Sequence, residues 1–553
     1  MAIDRHSSVE EVPVLIVGGS LVGLSLAALL AKHGLKGCLV VEKHSSTAIH
    51  PRATVMMPRT MQVFKELGLY DTMRKESLRY YDEHTCIITI ESLAGKVINK
   101  WLDDVNEGIE KISATRRVFL TQQALEPLLR AKALELGADL SFSTELIDFS
   151  QDSDYVTASV YNSQTGTHRK IRAKYMIAAD GFNSGVRNKL GIPTRGPGLL
   201  SRALTIYFQI TDKEALAKLP NAHYSGVIYV ANEAVRSFFR FDRDKKESFL
   251  VINGAGKPGT EESRFPADTM SMEKAKDYLR AAIGADIGFE IFQLSTWEAI
   301  ADLPDRFREG RILLAGDAAH RMPPSGGYGG NTGVQDAHNL AWKLAYVLQG
   351  MADESLVTET YEAERRPVAK QTVEQATAHY VHRTAPELHY LIQQHNIHEV
   401  EPDVDLELAY RYHSKALDTK EEGPIAEHIY SAVARSGSIA HHVLVDTREA
   451  KSVPISDFLG EGFVLFVGSN DACWKPAMEK VIADSIDLPR VHIQHLVYEP
   501  NSSYAVRYGI EPAGAVLIRP DGIVAWSSNT CLDDVSKAQK ILGQVMSRVV
   551  CRP

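Results

Sequence analysis

Residues 311–344 read RILLAGDAAHRMPPSGGYGGNTGVQDAHNLAWKL, and this stretch predicts a buried strand, a tight acidic turn, a glycine-rich segment and a helix. The apolar residues 312–315 form the strand, which a Gly-Asp pair ends. The density of glycine and proline that follows is typical of backbone that lies close against a flat ligand. We expect Asn331 or Thr332 to cap the helix, whose first turn would offer free N–H groups and a positive dipole end. The stretch therefore predicts a site that stabilises negative charge on a planar cofactor.

The amino-terminal residues predict a nucleotide-binding unit of strand, turn, helix and strand. Residues 12–17 form an apolar, strand-like run, a helix-like run follows, and a second strand, 38–41, ends in Glu42. Between the first strand and the helix lies the string GGSLVG at 18–23, which is G-x-G-x-x-G with Ser20 in place of the middle glycine. An acidic residue at this distance is suited to bind a ribose hydroxyl.

Two further sequence strings differ in how strongly they support a nucleotide-binding site. The string at 254–259 matches G-x-G-x-x-G literally, but it contains a proline and no apolar helix follows it, so we interpret it as a surface turn. The apolar run at 173–179 predicts another strand, which ends at Asp180 and Gly181. On its own this turn could be any junction between a strand and a loop, but together with the two stretches described above it supports a cofactor site.

Taken together, the motifs resemble those of the FAD-dependent aromatic hydroxylases, which are single-component flavoprotein monooxygenases with the p-hydroxybenzoate hydroxylase fold. The resemblance is carried by GGSLVGL with Glu42, by DGFNSGVR at 180–187, and by GDAAHRMPPSGGYGGNTGVQDAHNLAWKL at 316–344. Within this family the chain is most similar to hydroxylases of polyketides and other polycyclic phenols, such as aklavinone hydroxylase, and to 2,4-dichlorophenol 6-monooxygenase.

The resemblance implies an α/β fold with three domains: a Rossmann-like FAD-binding domain of the p-hydroxybenzoate hydroxylase type, an antiparallel-sheet substrate domain and a C-terminal thioredoxin-like domain. Alternating apolar and polar residues in the middle of the chain favour antiparallel strands there. We place the FAD-binding domain at 1–77, 111–194 and 301–400, the substrate-binding domain at 78–110 and 195–300, and the thioredoxin-like domain at 401–553.

The resemblance also implies which residues bind non-covalent FAD. At the adenosine and pyrophosphate end, the implied contacts are Gly18, Ser20 and Gly23 with the pyrophosphate, Glu42 with the adenosine ribose, and Arg52 near the flavin and pyrophosphate. At the flavin end, Asp317 would hold the ribityl chain, and Gly330, Asn331 and Thr332 would face the flavin N1–C2=O edge. Gln122 would hydrogen-bond to the cofactor, Asp180 and Gly181 would serve both FAD and the nicotinamide donor, and the remaining implied contacts are Lys43, Pro324 and Gly327.

The implied reaction uses NADPH or NADH and O2 to form a flavin C4a-hydroperoxide, which transfers one oxygen atom to an electron-rich aromatic ring. The protein must orient that ring and exclude water. Two alternatives stay open: Baeyer–Villiger insertion or epoxidation by the same peroxyflavin, and a flavin-bearing protein that binds an aromatic compound without turnover.

Candidate substrate residues are the aromatic side chains of the predicted sheet domain, namely Tyr207, Tyr224, Tyr229, Phe239 and Trp297. Each of them is individually better explained by sheet packing. Because a phenol reacts faster when deprotonated, Arg52, Tyr229 and Tyr224 are the candidate catalytic residues. Histidines recur at 379, 382, 389, 395 and 398, which we interpret as a solvated helix surface and not as a metal site.

The amino-acid composition limits the partners, the location and the kinds of metal or disulfide site that we expect. A net charge of −9 argues against nucleic acid as a partner. The five cysteines are scattered, which favours a reducing, cytoplasmic location and predicts neither a disulfide framework nor a zinc site. Cys473 has no cysteine three positions away, so we expect docking or dimerisation, not dithiol chemistry, from the C-terminal domain. We also expect no membrane span and no signal peptide, and a homodimer is left open.

Overall fold

The computed structural model describes residues 9–48, 55–254, 271–419, 423–485, 487–497, 499 and 501–553. Arg52 and most of the string at 254–259 lie outside these residues.

The described strands, in chain order, are β1 (Glu10–Val17), β2 (Leu39–Val41), β3 (Val55–Met56), β4 (Cys86–Ile90), β5 (Val97–Leu102), β6 (Val118–Phe119), β7 (Asp139–Ser141), β8 (Thr144–Gln151), β9 (Val156–Asn162), β10 (Thr167–Ala178), β11 (Thr194–Ile210), β12 (Gly226–Ala231), β13 (Arg236–Arg240), β14 (Ser248–Asn253), β15 (Phe289–Pro304), β16 (Arg308–Glu309), β17 (Ile312–Leu314), β18 (Leu444–Val445), β19 (Val453–Pro454), β20 (Phe463–Val467), β21 (Val491–His495), β22 (Ala515–Ile518) and β23 (Val524–Ser528).

The described α-helices are α1 (Leu21–Lys32), α2 (Pro58–Glu66), α3 (Tyr70–Tyr80), α4 (Gln122–Leu136), α5 (Gly185–Lys189), α6 (Lys213–Ala217), α7 (Met272–Ile283), α8 (Tyr328–Leu348), α9 (Ser355–Thr358), α10 (Thr360–Arg383), α11 (Tyr390–Gln394), α12 (Asp403–Leu408), α13 (Trp474–Asp484), α14 (Ser503–Tyr508) and α15 (Val535–Val549).

The first sheet has the strand order β16-β17-β10-β1-β2-β7, with β9 and β8 attached beside β10. β1 pairs in parallel with both β10 and β2, so the predicted strand–helix–strand unit is confirmed. The parallel strands are apolar along their length because helices cover the sheet. Helix α1 is buried on nearly every side, since it packs against α8 and α4. The carboxyl ends of β1, β2, β10 and β17 therefore meet at one edge.

The second sheet has the order β15-β11-β14-β13-β12-β4-β5. Most of its pairings are antiparallel, as predicted, but β12 pairs in parallel with β4. One face packs against α7 in an apolar core. The other face is the wall of a cavity.

The C-terminal residues form a four-stranded sheet of order β21-β20-β22-β23, in which β22 and β23 make the predicted hairpin. The sheet is anchored to the rest of the chain by a buried ion pair: Arg519 donates to both oxygens of Glu364 in α10, at 2.8 and 2.9 Å. Docking of this unit is thus observed, and its thioredoxin-like character stays a prediction.

The structure corrects one prediction about the cysteines. Cys473 and Cys531 form a disulfide across 58 residues of sequence. The prediction of no disulfide was wrong here because only the fold brings these two Cα atoms to 6.0 Å. Separately, no helix in the described ranges has both the length and the apolar character that crossing a bilayer requires.

Candidate active site

A large cavity lies between the edge of the first sheet and the face of the second, and its volume is about 2360 Å³. Sites for one drug-sized ligand measure roughly 300–1,000 Å³. The cavity is therefore large enough for an extended cofactor together with a substrate.

The turn between β1 and α1 needs its glycines. Gly18 has a φ of +110°, and a Cβ on it would lie 2.2 Å from the Ala179 carbonyl oxygen. A Cβ on Gly23 would lie 1.9 Å from the Gly18 carbonyl oxygen. The N–H of Gly19 donates to the Glu42 carboxylate at 2.7 Å, which places that carboxylate beside the turn. Backbone can thus lie against a pyrophosphate here, with an acid nearby for a ribose.

Ser20, the departure from the glycine pattern, has a partner of its own. Its hydroxyl donates to Glu126 in α4, and the same carboxylate accepts the N–H groups of Leu21 at 3.0 Å and Ala48 at 2.8 Å. Gln122 also reaches Glu126, at 3.3 Å. Glu126 is fully buried, and it joins the turn at Ser20 and Leu21 to the segment after β2 at Ala48 and to α4. Its role was not predicted, because its partners lie about a hundred residues away in the sequence.

Helix α8 begins at Tyr328, with Gly327 as its N-cap, so the prediction of a cap at Asn331 or Thr332 was wrong. Gly327 takes the cap position because its φ of +73° is left-handed. The Asn331 side chain instead accepts the N–H of Met57 at 2.8 Å and donates to the Gly327 carbonyl at 2.7 Å. Helix geometry leaves free the N–H groups of Tyr328 and the two glycines after it. Pro324, Gly327 and Gly330 line the cavity in this region.

The acidic turn after β17 rests on a fully buried network. Asp336 accepts the Gly316 N–H at 3.0 Å, lies 2.8 Å from His320 Nε2 and accepts Arg365 Nε at 2.7 Å. Burial raises the pKa of Asp336, but the charges of Arg365 and His320 outweigh it and hold that pKa below its ordinary value. The network fixes the turn that presents Asp317 to the cavity, and His320 is part of this support.

Asp180 and Gly181 also line the cavity, at the end of β10. One Asp180 oxygen accepts the N–H of Val186 at 3.1 Å. The other, Oδ1, is buried and has no hydrogen-bond partner among the described residues. A buried acceptor without a donor is unfavourable, so this oxygen fits a hydroxyl or amide of a bound cofactor.

On the second sheet the strand alternation decides which aromatic residues reach the cavity. Tyr207, Tyr229 and Trp297 line it, whereas Tyr224 and Phe239 do not. Phe239 was a wrong choice because its neighbour Phe238 takes the cavity face and successive side chains point to opposite faces. Tyr224 precedes β12 and packs with the apolar core beyond the sheet.

Arg240, which was not predicted, is a buried cation in the cavity wall. Its guanidinium lies 4.3 Å from the Phe119 ring and near Tyr81. Burial lowers the pKa of Arg240 to about 10, so it stays charged at neutral pH. Burial also raises the pKa of Tyr229, and the nearby charges of Arg383 and Arg240 partly oppose this rise.

The end of α10 contributes a second polar group to the cavity. His379 is 6% exposed and lies 3.0 Å from Asp403 in α12, so the prediction of a solvated surface was wrong for it. Beside them, Arg117 pairs with the buried Glu407 at 2.7 Å. The only sequence feature that indicates this polar group is the four-residue spacing of Gln375, His379 and Arg383, which puts the three side chains on one helical face.

Comparisons with known proteins agree with this geometry. A family described as FAD binding domain matches residues 11–376, and one described as aromatic-ring hydroxylase, C-terminal, matches residues 434–553. A 4-methyl-5-nitrocatechol 5-monooxygenase from Burkholderia sp is 43% identical over 98% of both chains. An aklavinone 12-hydroxylase from Streptomyces purpurascens is 32% identical over 97% of this chain and 99% of its own.

Among solved structures, an aklavinone-11 hydroxylase in complex with FAD and aklavinone superposes with a TM-score of 0.87, at 32% identity over 98% of this chain and 99% of its own. The enzymes of this class use FAD, a nicotinamide donor and O2. The chain belongs to the FAD-dependent aromatic-ring hydroxylases and is a monooxygenase that acts on an aromatic substrate.

Proposed function

We propose that the enzyme hydroxylates a small phenol or catechol that carries a polar, electron-withdrawing group. The observation that carries this proposal is the buried guanidinium of Arg240 in the wall of the cavity, beside Tyr229. The positive charge of this guanidinium at the cavity wall attracts a ligand that brings negative charge, such as a phenolate or nitro oxygen. The nitrocatechol relative, at 43% identity, supports this size and chemistry.

We further propose how the chain holds FAD. The turn from Gly18 to Gly23 binds the pyrophosphate, and the free N–H groups at the start of α8 face the negative charge of the reduced flavin. The remaining proposed contacts are Glu42 and Lys43 at the ribose, Gln122 beside the turn, Asp317 at the ribityl chain, and Asp180 and Gly181 toward the nicotinamide donor.

Bound FAD would supply the redox chemistry, namely acceptance of a hydride from NADPH or NADH and transfer of one oxygen atom from O2. The residues of the chain orient the ring and keep water out. Tyr207 and Trp297 pack against an aromatic ring, and Trp297 is held by a hydrogen bond of 3.0 Å to Thr205. Arg240 stabilises the deprotonated hydroxyl, which makes the ring more electron-rich.

The test uses the purified holoenzyme with 4-methyl-5-nitrocatechol and with aklavinone, each with NADPH and with NADH. We expect the nitrocatechol to stimulate nicotinamide oxidation. Mass spectrometry should show a product with one added oxygen atom. If the nitro-bearing carbon is attacked, the reaction should instead release nitrite. A ring-expanded lactone would contradict hydroxylation. Oxidation that no phenol stimulates would overturn the proposal.

A matched pair of variants tests the role of the buried cation. Arg240→Gln should raise KM for the nitrocatechol at least about tenfold, because a charge-assisted hydrogen bond contributes roughly 1.5–3 kcal/mol. Bound FAD should be unchanged. The control Arg195→Gln removes an exposed guanidinium that pairs with Asp305, and it should leave KM as in the wild type.

A polycyclic, polyketide-derived phenol is the second candidate. The cavity volume of about 2360 Å³ and the likeness to the aklavinone complex support it. Stronger stimulation by aklavinone than by the nitrocatechol would favour this substrate. The homodimer and the cytoplasmic location stay predictions.

A further inference from the structure

A histidine–carboxylate pair lies at the polar end of the cavity, at residues that no motif of the family resemblance includes. His379, in the last turns of α10, and Asp403, at the start of α12, both line the cavity. Their contact joins His379 Nε2 to Asp403 Oδ1 at 3.0 Å. The histidine is 6% exposed, so water screens this contact weakly.

The polar neighbours of the imidazole, Gln375 among them, are the basis for assigning which ring nitrogen carries the proton. The Oε1 of Gln375 accepts the N–H of Val400 at 2.8 Å, which fixes the orientation of the amide. Its Nε2 donates to the Val400 carbonyl at 3.1 Å and to Asp403 Oδ1 at 2.7 Å, which uses both amide hydrogens. His379 Nε2 lies 3.0 Å from Asp403 Oδ1, which can only accept, and 3.2 and 3.4 Å from Gln375 Nε2 and Arg383 Nη2, so we assign its proton from the shortest contact, as a donor to Asp403.

This tautomer leaves Nδ1 of His379 as a lone-pair acceptor. Nδ1 is buried and has no hydrogen-bond partner among the described residues. A buried acceptor that lacks a donor costs about 1–3 kcal/mol. A hydroxyl group on a ligand in the cavity would remove this cost.

We propose that His379, oriented by Asp403, takes the proton of a hydroxyl group on the aromatic substrate; this inference rests on the proposed hydroxylation of a phenol. The substrate O–H bond breaks, its electron pair stays on the oxygen as a phenolate, and an N–H bond forms at Nδ1. The resulting imidazolium is paired with the Asp403 carboxylate. The proton returns from Nδ1 to the product oxygen after oxygen transfer, so the cycle is balanced.

Among the groups around the imidazole, the Asp403 carboxylate favours this transfer. Burial raises the pKa of Asp403, but its hydrogen bonds and nearby charges outweigh burial and hold that pKa below its ordinary value, so it remains ionised. Arg383 Nη2, from the same helix, lies 3.4 Å from His379 Nε2, and its positive charge opposes protonation of the imidazole. From α8 the Tyr328 ring lies 6.0 Å from the His379 ring, centroid to centroid. Farther away, the charges of Arg117 and Glu407 neutralise each other across 2.7 Å. One carboxylate thus faces the imidazole to stabilise its protonated form.

The experiment measures the ionisation of a bound ligand without turnover. 4-Methyl-5-nitrocatechol absorbs visible light differently as a phenol and as a phenolate. We would titrate its complex with the holoenzyme by pH, without nicotinamide, and compare the wild type with His379→Asn and Asp403→Asn. In Asp403→Asn the new amide can donate to Nε2, which would shift the ring proton to Nδ1 and remove the acceptor.

In both variants we expect the bound catechol to ionise at least about one pH unit higher than in the wild type, and kcat to fall about 100-fold or more. Retained flavin and an unchanged melting temperature show that each variant is folded. His389→Asn, an exposed histidine just beyond α10, is the matched control and should behave as the wild type.

The outcomes separate the two proposals. If the wild type turns over the nitrocatechol and both folded variants ionise it at the wild-type pH, the role of His379 is overturned and the proposed function stands. If the wild type neither binds nor hydroxylates the nitrocatechol or aklavinone, the proposed function fails, and this inference fails with it.

Discussion

Two histidine–aspartate pairs, each with a buried histidine, have different surroundings in this enzyme. His320 and Asp336 are both fully buried, and Asp336 also accepts a backbone N–H and the Arg365 guanidinium. The pair of His379 and Asp403 lines the cavity, and the Asp403 side chain is 35% exposed. Both histidines have an Nδ1 without a hydrogen-bond partner among the described residues.

The comparison teaches that the contact between the two side chains does not decide what a pair does. The role of each pair depends on whether its histidine lines the cavity. His320 does not line the cavity, so its pair can only support the turn that carries Asp317. His379 lines it, and its pair can meet a substrate. The predictions below test this division between a structural pair and a reacting pair.

The largest expected effect is the loss of the structural pair. Asp336→Asn keeps the shape of the side chain but leaves the buried Arg365 without a counter-charge. Breaking a buried ion pair costs about 3–5 kcal/mol. We expect a clearly lower urea midpoint for unfolding, measured by circular dichroism, together with loss of bound FAD.

Asp305→Asn is the control for this change, because its pair with Arg195 is exposed and the urea midpoint should not move. A wild-type midpoint for Asp336→Asn, combined with a lowered midpoint for His379→Asn, would reverse the roles that we assign to the two pairs.

A third buried histidine has no carboxylate partner among the described residues and shows how strongly burial lowers the pKa of an imidazole. His441, in the C-terminal unit, is 2% exposed, and neither ring nitrogen has a hydrogen-bond partner among the described residues. Burial, helped by the charge of Arg507, lowers the pKa of His441 from 6.5 to about 3. Between these values the unfolded chain binds a proton that the folded protein does not, so stability falls as the pH drops through this range.

We expect His441→Leu to reduce this acid sensitivity. Each unit of pH below about 6 should lower the free energy of unfolding of the wild type by about 1.4 kcal/mol more than that of the variant. Above pH 7 the difference between the two proteins should no longer change with pH. Parallel urea titrations at pH 8, 6 and 5 measure it, and a constant difference would contradict a buried neutral histidine.

The nucleotide-binding half could be predicted from the sequence because its signals are local. The turn at Gly18 and the acid at Glu42 follow directly after buried strands, and backbone geometry alone requires the glycines. The predicted start of α8 was four or five residues too late, because Gly327 caps the helix through its φ, where we expected a polar side chain at Asn331 or Thr332.

The substrate half could be predicted only in part, because its side chains come together through long-range pairing. Strand alternation would place Phe238 and Phe239 on opposite faces, but the sequence does not reveal which face meets the cavity. Asp403 and His379 belong to different helices, and a histidine-rich helix end looks the same whether it is solvated or buried. Arg240 follows an apolar strand and carries no motif.

The smallest expected effect tests the boundary of the cavity on the sheet. Tyr229→Phe removes a hydroxyl from the wall of the cavity, whereas Tyr224→Phe removes one from a ring that does not line the cavity and lies 5.8 Å from Lys100 Nζ. One hydrogen bond contributes about 0.5–1.5 kcal/mol, so Tyr229→Phe should raise KM for 4-methyl-5-nitrocatechol roughly three- to tenfold. Tyr224→Phe should leave KM unchanged in the same steady-state assay. An equal rise for both variants would mean that the substrate reaches beyond the face that Phe238 and Tyr229 share, and the division between cavity wall and apolar core would have to be redrawn.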